Sequence, residues 1–501
     1  MRLAIAVAIF ACSMHAEAGV TLPGMLGSHM VLQRDRPIHV WGWAAPGEKV
    51  AVEFHGASGA TTADDLGNWS IYLPPAAAGG PYRMTVAGSN TIVLDDILVG
   101  DVWFASGQSN MEMPLKGFPG APVKDSAEEI AHATQPQIRL LYIPHAASDF
   151  PLRDVKASWT VCSPETAANF SAAAYFFGRD LAARERVPIG LVDATWGGTV
   201  AEAWLSLKAI AADAGLMPVF ATRAQMMESQ ADAAAILARD KREDAAARAA
   251  GQPPPKHAWR PDPRSWAPAA LFNGMVAPAL PYAIKGVIWY QGESNSRLAF
   301  APMYARLFPA LINDWRSEWR EGDFPFLFVQ ISNFKSDAHE AWAVIREAQR
   351  RSLSVANTAM VVTIDIGNPD NVHPADKQTV GARLALAARA LAYGENIEYS
   401  GPLFRQATRE AGGMRVWFDH ADRGLVARGG DLTGFEIAGE DCNFVSASAR
   451  IDGDTVVVSS PAVSTPAYVR YGWANAPVVN LFNSAGLPAS PFTSEADIPA
   501  Q

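Results

Sequence analysis

From about residue 98 to 394 the chain alternates near-continuous apolar runs with longer stretches of helical character. The apolar runs cover 102–106, 189–195, 284–290, 324–331 and 359–366. They are apolar at almost every position rather than every second one, as strands buried on both faces must be. Strands of this kind, spaced by helix-like segments, predict an α/β unit in which a parallel sheet is sandwiched between helical layers. On either side of this region the period changes to two. Residues 38–43, 49–54, 68–73 and 82–86 alternate in polarity between Gly, Pro, Ala and Asp turns, which predicts a β-sandwich-like unit over 19–97. Residues 414–418, 446–451, 455–460 and 468–473 do the same and predict a C-terminal β-rich unit over 395–501. Within the central region, about 206–265 reads as a helical insertion. Its centre, 223–250, is expected as one exposed helix with Asp244 and Arg248 paired one turn apart, stopped by Gly251 and Pro253 to Pro255.

Composition narrows the picture. The 501 residues are 49% hydrophobic and 18% charged, with a net charge of −10 and no long basic run. That argues against nucleic acid as a partner, though one local arginine would still suffice for an anionic sugar. The N-terminus has a basic Arg2, an apolar stretch over 3–12 and an Ala16-Glu17-Ala18 site. This is the three-part pattern of a signal peptide, so cleavage after Ala18 and an exported, periplasmic or secreted protein are expected. No later stretch reaches about 20 apolar residues, so no membrane span is expected. Cys162 and Cys442 remain after cleavage, either bridged or as two buried free thiols. No Cys or His spacing suits a metal, and no cofactor is expected. Nothing in the sequence fixes the oligomeric state.

Chemistry concentrates just after the apolar runs, where ligands bind in open parallel sheets. The first run is followed by Gly107-Gln108-Ser109-Asn110, the second by Trp196-Gly197-Gly198-Thr199 and the third by Gln291-Gly292-Glu293-Ser294-Asn295. Ser332-Asn333 follows the fourth and Gly367-Asn-Pro-Asp370-Asn-Val-His373-Pro374 the fifth. Taken singly, each is ordinary turn chemistry. Together they supply what acyl transfer needs: Ser109 as nucleophile, His373 as base, Asp370 to orient it, and donors for an oxyanion. Gly197 and Gly198 free backbone N–H groups for close approach, and Gln291 and Asn295 offer side-chain amides. The order Ser, Asp, His matches α/β-hydrolases. Met111 in place of the second Gly of G-x-S-x-G, and an Asp–His separation of three residues, point to a different architecture.

Residues 100–111, 196–204, 289–295 and 370–374 with Lys377 and Gly381 resemble the motif blocks of the SGNH/GDSL-like hydrolases, and within them the sialate O-acetylesterase family. The likeness extends to 29–33, 469–473 and 487–492, nearly the whole mature chain. It implies an SGNH-type three-layer catalytic domain over 98–394 and a metal-free, serine-dependent carbohydrate O-acetylesterase. Ser109 would attack the acetyl carbonyl and His373 would shuttle the proton. The triad acid would be Asp370 or its rival Glu293. The amides of Ser109 and Gly198 with Gln291 or Asn295 would hold the oxyanion, and Gln108, Trp196 and Glu293 would contact substrate. The implied substrate is a 9-O-acetyl sialic acid, with acetylated xylan or xyloglucan oligosaccharides as the alternative. Arg346 and Arg383 are candidate partners for a sialate carboxylate. A non-catalytic carbohydrate-binding protein is the reading from another class.

Overall fold

The computed structural model describes residues 19–229, 232–255, 257, 262–421 and 423–498. The expected signal segment 1–18 lies outside them. Seven strands form the central sheet: β1 (Thr91–Gly107), β2 (Gln135–Tyr142), β3 (Trp159–Cys162), β4 (Ile189–Thr195), β5 (Gly286–Tyr290), β6 (Phe326–Val329) and β7 (Thr358–Val361). Their order is β7-β6-β5-β1-β4-β2-β3. Neighbours are parallel except β3, which runs antiparallel to β2. The hydrophobic pattern points to five of these strands. It passes over β2, whose first residues are Gln-Pro-Gln, and β3, which is only four residues long.

Successive side chains of β1 fall on opposite faces and meet different helices. Trp103 meets Phe177 of α2 (Ala172–Glu185) edge-on at 5.0 Å. Phe104 meets Trp315 and Trp319 of α3 (Tyr304–Trp319) at 5.6 and 5.2 Å. Helices therefore cover both faces of the sheet, and each fully buried ring contributes about 1.5–3 kcal/mol. Two further helices thicken these layers: α4 (Trp342–Arg351) packs on α3, and α5 (Lys377–Leu391) packs on α2.

The chain leaves β1 first toward β2 and β4 and only later crosses to β5. This makes the carboxyl end of β1 the switch point where an open parallel sheet leaves a crevice. Gly107 closes β1 there, level with Thr195 of β4 and Tyr290 of β5. Its position admits no side chain, because a Cβ would sit 2.2 Å from the Tyr290 carbonyl oxygen.

β1 also belongs to the N-terminal β unit. Its first half pairs antiparallel with Gly79–Ala87, and Leu98 to Gly100 pair in parallel with Val31–Gln33. One strand thus runs unbroken across position 98. The remaining N-terminal strands pair as Ile38–Trp43 with Asn68–Leu73, and Lys49–Phe54 with Ala57–Thr62. Toward the C-terminus, two four-stranded antiparallel sheets enclose their own core of Val416, Phe418, Ile437, Val458, Tyr471 and Phe492, among others.

Between β4 and β5 the described residues hold helices Pro218–Ser229 and Ala233–Ala249 where one helix was expected over 223–250. Positions 230 and 231 lie outside the described residues. The expected Asp244–Arg248 ion pair forms at 3.7 Å. Cys162 is buried and Cys442 exposed, and the two are free thiols rather than a bridge. Burial pushes the Cys162 thiol up to about 12.

Candidate active site

At the switch point the short helix α1 (Ser109–Glu112) starts directly after β1. Ser109 is half-buried at its N-terminus, and His373 Nε2 lies 2.9 Å from Ser109 Oγ. With a neutral imidazole the hydroxyl donates to Nε2, which is the geometry of a base activating a nucleophile. Burial first, and the nearby charge of Lys377 second, push the imidazole down to about 4 from 6.5, with Glu112 pulling the other way. The ring is therefore unprotonated at neutral pH. Both residues line a cavity of 880 Å³ together with Gln108, Glu112, Trp196, Gly197, Gly198, Glu293 and Arg297.

The loop after β4 packs against Ser109. A Cβ on Gly197 would lie 3.2 Å from that of Ser109. Gly197 N–H donates to Glu112 Oε2 at 2.6 Å, and Trp266 Nε1 donates to the Gly198 carbonyl at 2.7 Å. Gly198 takes a φ of +72°, which a glycine adopts without strain. The N–H groups of Ser109 and Gly198 donate to no described residue. Both are thus available to a developing oxyanion.

The expected side-chain amides are spent elsewhere. Gln291 is fully buried; its Nε2 donates to the Thr199 carbonyl and to Asn295 Oδ1, and its Oε1 accepts from Tyr304. Asn295 accepts from Ala201 N–H and donates to Glu202. These two amides hold the loop after β4 in place from behind. Gln108, the residue before Ser109, keeps a free amide. Its Oε1 accepts from Ser294 N–H at 3.2 Å and Gly292 N–H at 3.4 Å, which fixes the flip and leaves Nε2 without a described partner.

Asp370 is not brought to His373. Its carboxylate is 79% exposed and pairs with Lys335 Nζ at 3.0 Å. Asp370 N–H donates to Asn368 Oδ1 and His373 N–H to Asn371 Oδ1, so the loop closes on its own asparagines and turns the carboxylate outward. Glu293 makes no bond to His373 either. Its Oε1 accepts from Asn110 Nδ2 at 2.6 Å, and its Oε2 has no partner. Burial raises its carboxyl above the usual range, against the pull of its own backbone, Asn110 and Lys377.

Sequence reasoning missed the residue that ties the site together. Asn110 is buried, accepts from Lys377 Nζ at 2.6 Å, and donates to Glu293 and to the Val372 carbonyl at 3.0 Å. It therefore links the loops after β1, β5 and β7. Burial pulls the Lys377 ammonium down to about 7, against the attraction of Glu293 and Asp376. Glu112 and His145 were also missed. They pair at 2.9 Å, and His145 stacks on Trp196 with ring centres 4.3 Å apart. Only the Asn and Glu next to Ser109 in the chain could have signalled this; His145 lies on another strand-end loop.

The two arginines considered for a sialate carboxylate are structural. Arg346 is fully buried and donates to the carbonyls of Ile331, Ser332, Ala474 and Asn475. Arg383 pairs with Asp365 at 2.7 Å. Among the described residues, Arg297 is the arginine that lines the cavity. Away from the cavity, Asp240, Glu243 and His257 gather within 4.8 Å of one another, a grouping their sequence spacing does not announce.

A family model described as carbohydrate esterase, sialic acid-specific acetylesterase, matches residues 258–390. The chain is 30% identical to the sialate O-acetylesterase of Mus musculus, covering 96% of each chain. It is 30% identical to that of Homo sapiens, covering 77% of this chain and 74% of the other. The crystal structure of a carbohydrate acetylesterase from Xanthomonas citri aligns with a TM-score of 0.82 at 38% identity, covering 95% of this chain and all of that one. With that likeness running nearly end to end, the chain belongs to the sialate O-acetylesterase family and is a carboxylic ester hydrolase.

Proposed function

We propose that the chain is an exported, serine-dependent carbohydrate O-acetylesterase that removes the 9-O-acetyl group of sialic acids. The 2.9 Å contact between Ser109 Oγ and His373 Nε2 on the wall of the cavity carries this reading. Ser109 Oγ attacks the acetyl carbonyl while its proton passes to His373 Nε2. The tetrahedral oxyanion takes hydrogen bonds from the N–H groups of Ser109 and Gly198 and from Gln108 Nε2; a single such donor is worth about 10²–10³ in rate. His373 returns the proton to the sugar oxygen as that C–O bond breaks. Water, deprotonated by His373, then attacks the acyl-serine, and His373 returns that proton to Ser109 Oγ as the acyl C–O bond breaks and acetate leaves. Arg297 is the guanidinium available to a sialate carboxylate.

Acetylated neutral oligosaccharides are the second reading. Among the described residues the cavity carries the carboxyl groups of Glu112, Glu293 and Glu340 against the guanidinium of Arg297, a balance that suits an uncharged glycan. Acetate release from 9-O-acetyl sialic acid, acetylated xylo-oligosaccharides and a generic aryl acetate separates the two. A fluorophosphonate probe should label the wild type and not Ser109→Ala. A folded wild type that takes no label would favour a non-catalytic carbohydrate-binding protein. N-terminal sequencing of the secreted form should begin at Gly19 if the leader is cut after Ala18.

A further inference from the structure

One wall of the cavity is built by Phe334, Glu340 and Trp342, on the segment that leads into α4. The two rings pack at 5.4 Å, and Trp342 Nε1 donates to Glu340 Oε2 at 2.8 Å. What holds this wall comes from the C-terminal β unit. Asn475 Oδ1 accepts from Trp342 N–H at 3.0 Å. Asn475 Nδ2 donates to Ser336 Oγ at 2.7 Å and to the Glu340 carbonyl at 3.0 Å. Its own carbonyl accepts from Phe334 N–H at 3.2 Å and from the buried Arg346 at 2.5 Å. Ala341, the residue before α4, supplies no side-chain cap. Asn475 does so from more than 130 positions further along the chain, satisfying a helix N–H that would otherwise lack an acceptor.

An amide with every polar atom committed to one short segment fixes that segment's shape. The segment presents rings to the same cavity as Ser109 and His373, and aromatic walls with a few polar groups are how pockets grip amphipathic ligands such as sugars, whose C–H faces are apolar. We propose that Phe334 and Trp342 form the subsite for the sugar that leaves the acyl-serine, and that Asn475 is the positioning residue that shapes it from the C-terminal unit. The proposal rests on the O-acetylesterase reading above. Acetyl transfer itself needs none of these residues, so their effect falls on substrates that carry a sugar.

The test compares kcat/KM for 9-O-acetyl N-acetylneuraminic acid and an acetylated xylo-oligosaccharide with that for 4-nitrophenyl acetate, on the full chain. Asn475→Ala should lower the sugar-to-aryl ratio about tenfold for whichever sugar acetate the wild type turns over, mostly through KM, the size expected for one lost cap. Phe334→Ala removes a ring without touching the Asn475 network and should lower the same ratio. Asn475→Asp keeps the acceptor for Trp342 N–H, loses the donors, and should fall between; it stands in if the alanine variant does not fold. A ratio within twofold of wild type in both Asn475→Asp and Phe334→Ala overturns the proposal. Ser109→Ala run alongside separates the two failures: if it still turns over the aryl ester, the serine mechanism falls instead. A wild type that releases acetate from neither sugar sinks the carbohydrate reading and this one with it.

Discussion

His373 is held in its basic form by what surrounds it. Because burial and Lys377 depress its pKa, kcat/KM for an aryl acetate should persist below pH 6.5 and be half lost near pH about 4. The unfolded chain takes up this proton at 6.5 and the folded chain only near 4, so the residue's contribution to stability erodes as pH falls between those values. Lys377→Gln removes the neighbouring cation and should move the acid limb to higher pH, read from the same profile. Asp370→Asn should retain most activity, within about threefold, because the carboxylate faces Lys335 and solvent, where an ion pair is worth little. A loss near 10⁴-fold, as removal of a triad acid gives, would show that the loop turns inward during turnover. The approach of His373 to Ser109 was legible because both lie in loops that follow apolar runs. The direction of the Asp370 carboxylate was not. A three-residue separation permits a turn toward the histidine or away from it, and the neighbouring asparagines decided the direction. Gln291 and Asn295 failed as oxyanion donors for a related reason: residue type reveals an amide, but not which partners consume it.

Helix α1 is only four residues long, yet two of its side chains reach the loops after β2, β4, β5 and β7. Glu112 is the sole described acceptor of Gly197 N–H, so Glu112→Gln should loosen the glycine pair beside Ser109. A fall in kcat of about 10–100-fold with KM little changed is expected in steady-state kinetics, since the loss would fall on the transition state. Asn110→Ala strands a buried ammonium and a buried carboxyl and should cost about 3–5 kcal/mol in urea unfolding. At this scale the sequence pattern carried the strands with unbroken apolar runs. It did not carry β2, whose first residues Gln-Pro-Gln stay largely exposed, or β3, which is only four residues long at the edge of the sheet. Nor did it separate the insertion into two helices, because Ala, Met, Glu and Arg favour helix on both sides of the break.

Across the whole molecule the three regions that the sequence pattern separates are joined by polar contacts it cannot display. Half of the Arg346 carbonyl partners come from Ala474 and Asn475, and Gln330 Nε2 donates to Ser490 Oγ at 2.8 Å. A chain ending at residue 394 would bury that guanidinium with half its acceptors missing. Such a truncation should be insoluble or melt well below the full chain in circular dichroism. The change of hydrophobic period near residue 98 marks a change of layer, from a sheet with an open face to one covered on both. It does not mark a break in the backbone ladder, since β1 is hydrogen-bonded on both sides of it.

That uninterrupted strand has a mechanical meaning. Ser109 sits two residues beyond the end of a 17-residue strand whose first half is paired in the N-terminal unit. The N-terminal unit thus fixes the first half of the strand that carries the Ser109 turn. A graft of the central sheet without that unit would carry Ser109 on a strand whose first half has lost its partners.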